Sequence, residues 1–216
     1  MPDAFLNLLP RLLVILDQRE GGRLAHDIAA DALAAGARLL LWRAPHLSPK
    51  TYTAEARAIA ELAAPYAATF LTHDRADVAI ATAADGCHLP ERGLSTRDVR
   101  HVLGQDRIVG RSLHQLAQLQ DTELVSKLTY ATLSPIFLTD SKPGYGPALT
   151  PKIFEQASLL TTNLALYALG GVTPERVGAC LEAGAYGVAV MGGISHAEDP
   201  FTATRAYLDA IHEHTS

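Results

Sequence analysis

The hydrophobic pattern of the chain changes period again and again, and this alternation constrains the fold more than any other feature. Eight short runs are nearly continuous in aliphatic residues, as strands buried on both faces should be. They are LLVILD (12–17), LLLWRA (39–44), ATFLTHD (68–74), DGCHLP (85–90), RIVGRS (107–112), KLTYATLSP (127–135), LALYALGG (164–171) and GVAVMGG (187–193). Segments with helical spacing lie between them at 23–36, 53–64, 75–83, 174–184 and 200–213. The pattern predicts an α/β fold, a (β/α)₈ TIM barrel, with a doubly wound sheet as the alternative.

Length, charge and cysteine content narrow the class of protein. The 216 residues, 48% of them hydrophobic, suit one barrel domain over 1–216. A formal net charge of −5 argues against a nucleic-acid or anionic-membrane partner, which would favour a basic face. Cys87 and Cys180 are the only cysteines, so no disulfide framework is expected. Neither a signal peptide nor a membrane span is predicted, and a cytoplasmic location is the expectation.

Capping residues mark the expected ends of the helices. Ser95, Ser112 and Thr173 are candidate N-caps, and Pro174 stands where a first helical residue would be. Gly36 is a candidate terminator of the first predicted helix.

Polar and titratable side chains gather where the predicted strands end, which is where barrels carry their chemistry. A lone histidine such as His46 or His88 is more often structural, but the set as a whole predicts a site. Its members are Asp17, Arg43, His46, His73, Asp74, His88, Ser112 and His114.

Two glycine pairs follow the last two predicted strands, and this placement predicts a phosphate site. Gly170-Gly171 precedes a Thr-Pro helix start, and Gly192-Gly193 follows Met191. Glycine lets backbone N–H groups approach an anion closely. The alternative is that the glycines only form tight turns. The loop at 134–147 adds Thr139, Ser141 and Lys142, which suit a phosphate or carboxylate.

Five ordered stretches resemble the thiamine phosphate synthase/TenI family of barrels. They are Arg43, THDRADVAIATAADGCHLP (72–90), IVGRSLH (108–114), SPIFLTDSK (134–142) and ALGGVTPERVGACLEAGAYGVAVMGGI (168–194). In the synthase branch, the resemblance implies that Mg²⁺ assists the joining of a pyrimidine diphosphate to a thiazole phosphate. In the TenI branch it implies a thiazole tautomerase, an isomerase that aromatises a thiazole phosphate carboxylate by moving a proton.

The chain departs from the synthase pattern at three places. Ala44-Pro45 replaces the Glu-Lys that follows the arginine, His73 replaces an asparagine, and Gly93 replaces a second metal-binding aspartate. These departures are similar to the TenI branch, for which no metal or other cofactor is expected. Mg²⁺ is expected only under the synthase alternative, in which Glu91 could replace the missing aspartate as a metal ligand.

For the tautomerase, the resemblance implies that His114 carries the proton, with His73 as the alternative base. Asp74 would then orient a neighbour or pair with Arg75 or Arg111. The expected contacts to the thiazole phosphate come from Arg43, Ser112, Thr139, Ser141, Lys142, Gly170, Gly171, Met191, Gly192 and Gly193. A barrel that binds the phosphate without catalysis is the third alternative. The family resemblance also implies a homodimer.

Overall fold

The structure is a computed structural model that describes residues 9–17, 22–138, 147–161 and 163–215. Eight parallel strands pair in sequence order, and the eighth pairs with the first, so the sheet closes into a barrel. The predicted (β/α)₈ barrel is therefore confirmed, and the doubly wound alternative is wrong. In the described part of the chain, no helix is long and apolar enough to span a membrane.

The strands lie within the predicted runs or extend one residue beyond them. They are β1 (Leu12–Asp17), β2 (Leu39–Arg43), β3 (Thr69–His73), β4 (Gly86–Leu89), β5 (Ile108–Leu113), β6 (Tyr130–Leu133), β7 (Ala165–Leu169) and β8 (Gly187–Val190). The largest difference is at the sixth run, predicted over 127–135, where β6 has four residues. Ser134-Pro135 turns the chain away from the sheet, since a proline has no N–H to donate to a neighbouring strand.

Helices cover the outside of the barrel. Among the described residues they are α1 (Ala25–Ala35), α2 (Pro49–Ala63), α3 (Ala76–Ala81), α4 (Thr96–Leu103), α5 (Thr122–Val125), α6 (Ile153–Ser158), α7 (Pro174–Glu182), α8 (Gly192–Ser195) and α9 (Pro200–Glu213). Two 3₁₀ helices lie at Ala64–Tyr66 and Leu116–Gln120.

Three of the four predicted helix ends are found in place. Ser95 Oγ accepts the N–H of Asp98 at the start of α4, Gly36 ends α1 at φ 114°, and Pro174 is the first residue of α7 after Thr173. The prediction for Ser112 is wrong, because this residue lies inside β5. Its half-buried position on β5 points the hydroxyl towards the barrel interior instead.

Two apolar clusters show which face of each strand points inward. The inner cluster fills the barrel with alternate strand residues, among them Leu13, Ile15, Leu41, Leu71, Tyr130 and Tyr167. The outer cluster joins the other strand face to the helices and includes Trp42, Phe70 and Cys87. Because side chains alternate along a strand, the last inward position of each strand lies at the carboxyl end of the barrel.

Candidate functional site

Polar side chains occupy several of the last inward positions, and together they line the carboxyl-terminal mouth of the barrel. Asp17 follows inward Ile15 on β1, Arg43 follows Leu41 on β2, and His73 follows Leu71 on β3. At the ends of β7 and β8, Leu169 and Met191 pack on the inner cluster as partly buried apolar groups. The mouth thus combines charged and apolar side chains, which suits an anion-bearing organic ring.

Asp17, Arg43 and His196 form an ion-pair cluster at this mouth. Asp17 Oδ1 accepts from Arg43 Nη1 at 3.0 Å, and Asp17 Oδ2 lies 3.4 Å from His196 Nε2. The three side chains are mostly shielded from solvent. A Cβ at Gly192 would lie 3.2 Å from His196 Nδ1, so the glycine leaves room for the imidazole. Sequence analysis did not identify His196, because its partner Asp17 is remote in the chain.

His73 and His88 are stacked on neighbouring strands. Their ring centroids are 5.8 Å apart, as expected from the pairing of these two residues between β3 and β4. His88 is 2% exposed and has both ring nitrogens engaged, Nδ1 with Tyr130 Oη at 2.8 Å and Nε2 with Ser112 Oγ at 2.9 Å. Burial, with the nearby His73 and Arg111, lowers the pKa of His88 well below its usual value. His88 is therefore neutral.

His114 directly follows β5 and lies before the 3₁₀ helix Leu116–Gln120, rather than at an α-helix start. Its Nδ1 lies 2.7 Å from the carbonyl oxygen of Ser134 and 3.2 Å from the Ser134 hydroxyl. A carbonyl only accepts hydrogen bonds, so Nδ1 carries a proton. In the neutral ring Nε2 then holds the lone pair, which is the arrangement that a general base requires.

Gly170 and Gly171 are explained first by backbone geometry. Both have positive φ, 96° and 64°, a region that favours glycine. A Cβ at Gly171 would lie 2.8 Å from the carbonyl oxygen of Leu138, and one at Gly170 would lie 3.0 Å from Pro135 Cα. These glycines let the segment after β6 pack closely on the end of β7, so a bulky residue there would disturb the fold as well as any ligand contact.

The second glycine pair begins α8. Gly192 and Gly193 are the first residues of this short helix, whose opening N–H groups have no acceptor within it. Met191 precedes them, and its carbonyl accepts from Ile194 and Ser195. A Cβ at Gly193 would collide with Tyr207 Oη. Because β7 and β8 are paired, the two glycine pairs lie along one edge of the mouth.

Thr139, Ser141 and Lys142 lie outside the described residues, so their predicted contacts to a phosphate stay predictions. Of the other predicted contacts, the structure places Arg43, Ser112 and Met191 on inward positions of the barrel.

The oxygen ligands available around Asp74 show whether this site could hold the magnesium ion of the synthase branch. A Cβ at Gly93 would lie 3.1 Å from Asp74 Oδ1, so the position of the second aspartate is beside Asp74 and carries no ligand. Glu91 Oε1 accepts from Gln118 Nε2 at 3.1 Å. No cluster of three histidine, cysteine or acidic residues suited to a metal occurs within the described ranges. These residues do not fit a two-carboxylate magnesium site.

The two arginines proposed as partners of Asp74 have other partners. Arg75 binds Asp77 through two nitrogens, at 2.8 and 2.7 Å, and Arg111 donates to the carbonyls of Leu94 and Glu91. Partial burial raises the pKa of Asp74, and the charges of Arg111 and Arg75 oppose this shift.

The two cysteines lie away from this chemistry. Cys87 and Cys180 are buried in the outer cluster, and burial raises the pKa of each thiol to about 11. Both therefore stay protonated near neutral pH, so neither is poised as a nucleophile.

Comparison with known proteins assigns the family. A family model described as thiamine monophosphate synthase matches residues 12–194, which is nearly the whole barrel. The chain belongs to the thiamine monophosphate synthase family. Thiamine-phosphate synthase of Laribacter hongkongensis is 34% identical to this chain over 186 residues, covering 86% of each protein.

A second relative in the thiamine monophosphate synthase family is longer. Thiamine-phosphate synthase of a Synechococcus species is 34% identical over 189 residues, which cover 88% of this chain and 52% of that protein. The chain therefore spans about half the length of this cyanobacterial relative.

Solved structures share the fold of the family. Thiamine phosphate pyrophosphorylase from Pyrococcus furiosus superposes with a TM-score of 0.84 at 23% identity, covering 95% of this chain and 97% of that one. A 3-hexulose-6-phosphate synthase structure has a TM-score of 0.68 at 16% identity, covering 94% and 100%. At such identities these likenesses concern the fold alone.

Proposed function

We propose that this protein is a thiazole tautomerase, which binds a thiazole phosphate carboxylate at the barrel mouth and moves a proton to make the ring aromatic. The observation that carries the proposal is the hydrogen bond between His114 Nδ1 and the Ser134 carbonyl. This bond holds the imidazole in the tautomer whose Nε2 can accept a proton. Such a reaction requires one group that titrates near neutral pH, and histidine has that property.

The other groups of the mouth fit the binding of this substrate. Arg43 offers a guanidinium to the carboxylate or phosphate, and Ser112 offers a hydroxyl on an inward position of β5. Leu169 and Met191 supply apolar surface for the thiazole ring. The edge formed by the two glycine pairs is the proposed phosphate contact, with backbone N–H groups as donors.

Thiamine-phosphate synthase is the second candidate, and the names of the relatives favour it over the tautomerase. Those names describe a transferase rather than an isomerase. The site favours it less, because Pro45 stands where the synthase pattern has a lysine and Gly93 leaves Asp74 without a second carboxylate. The diphosphate leaving group would thus lack one cation and one metal ligand.

Two assays on the full chain separate the candidates. In the first, the protein is mixed with the non-aromatic thiazole phosphate carboxylate, and aromatisation is followed by proton NMR without metal. In the second, it is given thiazole phosphate, a pyrimidine diphosphate and Mg²⁺, and thiamine phosphate is measured. Turnover in the first assay supports the tautomerase, and turnover in the second alone assigns the transferase. Tight binding without turnover in either one leaves a phosphate-binding barrel.

A further inference from the structure

A chain of hydrogen bonds runs through the barrel interior to Ser112 at the mouth. Tyr130 Oη is 2.8 Å from His88 Nδ1, and His88 Nε2 is 2.9 Å from Ser112 Oγ. Thr132 Oγ1 donates to the same Ser112 oxygen at 3.5 Å. Tyr130, Thr132 and His88 are buried, whereas Ser112 is half-buried. The buried members therefore do not contact a ligand directly, and this chain of hydrogen bonds connects them to it through Ser112.

Packing holds the first member of this chain in place. Tyr130 contacts Tyr167 edge to face, with ring centroids 5.5 Å apart. Gly110 leaves the space that the phenol occupies, because a Cβ there would lie 2.6 Å from Tyr130 Oη. The strand pairing of β5 with both neighbours brings Gly110 opposite His88 and Tyr130. The phenol is thus fixed against the imidazole.

The direction of each hydrogen bond follows from what each group can donate. A buried hydroxyl requires an acceptor, and within the described ranges Tyr130 Oη has His88 Nδ1 as its hydrogen-bond partner. The phenol therefore donates to Nδ1. His88 is neutral and carries one ring proton, so this proton is on Nε2 and is donated to Ser112 Oγ.

We propose that His88 is a positioning residue whose Nε2–H, together with the Thr132 hydroxyl, occupies the acceptor sites of Ser112 Oγ, so that Ser112 can only donate to the ligand. A hydroxyl offers one proton and two lone pairs; the His88 Nε2–H takes one lone pair at 2.9 Å, and the Thr132 hydroxyl makes a longer contact with the same oxygen at 3.5 Å. Ser112 consequently selects an acceptor, the carboxylate or a phosphate oxygen of the substrate, and disfavours a group that donates. This inference rests on the proposed function for the identity of the ligand, but the tautomer of His88 does not depend on it.

The tautomer is tested first, on the full chain labelled with ¹⁵N. Two-bond correlations between ring protons and ring nitrogens distinguish an imidazole protonated on Nε2 from one protonated on Nδ1. We expect His88 to be protonated on Nε2, with the preference weakened in Tyr130→Phe, which keeps the ring but removes the donor. Protonation of His88 on Nδ1 in the unmodified protein would overturn the proposal, whatever reaction the protein catalyses.

Two substitutions of His88 test the action through Ser112. The amide nitrogen of glutamine reaches about the position of Nε2, whereas that of asparagine reaches about the position of Nδ1. His88→Gln should therefore keep the donor to Ser112, and His88→Asn should lose it. We expect His88→Asn to weaken binding of thiazole phosphate carboxylate about tenfold, because Ser112 is then no longer held to donating its hydrogen bond to the charged ligand, and His88→Gln to weaken it by less than about threefold.

A double substitution distinguishes positioning from a general loss of structure. Ser112→Ala should weaken binding about as much as His88→Asn, and the double variant should be no worse than either one, because His88 is proposed to act on the ligand through Ser112. His101→Gln, on the exposed face of α4, is the matched control. Equal losses in His88→Asn and His88→Gln, or additive losses with Ser112→Ala, would refute the proposal. If His88→Asn does not fold, the tautomer and Ser112→Ala with His88→Gln still decide it.

Discussion

Gly93 lies directly beside Asp74, so that a Cβ on the glycine would be 3.1 Å from the aspartate Oδ1. The structure thereby places the position where the synthase pattern has a second aspartate next to the first one. A single carboxylate remains there, and partial burial already raises its pKa. The synthase and the tautomerase interpretations differ most clearly at this pair.

We predict that the unmodified protein shows no coupled binding of Mg²⁺ and a pyrimidine diphosphate at millimolar concentrations in calorimetry. Gly93→Asp should gain measurable Mg²⁺ binding, because it adds a carboxylate within reach of Asp74. Gly93→Ala is the control, since it adds the Cβ, which also lies 3.0 Å from the Pro90 ring, but no ligand. Formation of thiamine phosphate by the unmodified protein with Mg²⁺ would contradict this prediction.

His114→Asn should lower the turnover of the thiazole phosphate carboxylate by about 10²–10⁴, which is typical for removal of a general base. The asparagine amide can still donate to the Ser134 carbonyl, so substrate affinity and fold should be retained. His73→Asn should have a smaller effect, because the proposed proton carrier is His114 and His73 packs beside the buried His88. Single-turnover kinetics of both variants provide the measurement. A larger loss in His73→Asn would move the catalytic role to β3.

The pH dependence of stability should report the burial of neutral His88. Its pKa is lowered in the folded protein, so below about pH 6.5 the unfolded chain binds a proton that the folded one does not. The free energy of unfolding should therefore fall as the pH decreases through 6.5, with a contribution of up to about 1.4 kcal/mol per pH unit. Urea unfolding between pH 8 and 5 should show a shallower decline in His88→Gln. An unchanged slope in that variant would mean that His88 is protonated in the folded barrel.

Much of the fold can be predicted from the sequence, because each strand is a short apolar run bounded by turn residues. The start of α2 is an exception, since residues 49–53 have no apolar period, yet Ser48 caps the helix by accepting the N–H of Thr51. The short helices α5 and α6 also carry too few turns for a periodic pattern to be recognised.

The candidate site is predicted less completely. Polar strand ends indicate its location, since parallel strands of a barrel all end at one mouth. The contact of Tyr130 with His88 depends on strand register, and that of His196 with Asp17 depends on closure of the barrel by the pairing of β8 with β1. Neither is visible as local spacing in the sequence.

Arg100 should be among the most important polar side chains for stability. It is 8% exposed, and it donates to the carbonyls of Lys127, Gly104, Gln105 and Arg107 and to Thr129 Oγ1. Arg100→Met would remove these hydrogen bonds and leave partly buried acceptors unsatisfied, and we expect a loss of about 2–4 kcal/mol in urea unfolding. Arg97→Met is the control. Its side chain is 76% exposed and 3.9 Å from Glu123, so the change should be below about 0.5 kcal/mol.

Asp17 should tune how strongly Arg43 attracts an anion. Its carboxylate pairs with the guanidinium at 3.0 Å and also lies near His196, so it partly cancels the positive charge at the mouth. Asp17→Asn keeps the shape but removes that negative charge. For an anion about 7 Å from the Asp17 carboxylate in an intermediate dielectric, the loss of that negative charge should strengthen binding of inorganic diphosphate roughly 3–10-fold.

A second variant assigns this effect to Arg43. In the double variant Asp17→Asn/Arg43→Gln the gain in diphosphate affinity should disappear, because the guanidinium that loses its partner in Asp17→Asn is no longer present. Calorimetry at low ionic strength is the measurement, and the gain should shrink as salt is added, since dissolved ions screen the attraction between the anion and the partly exposed Arg43. Weaker binding in Asp17→Asn would show the opposite relationship, with Asp17 holding Arg43 in the orientation that the anion requires.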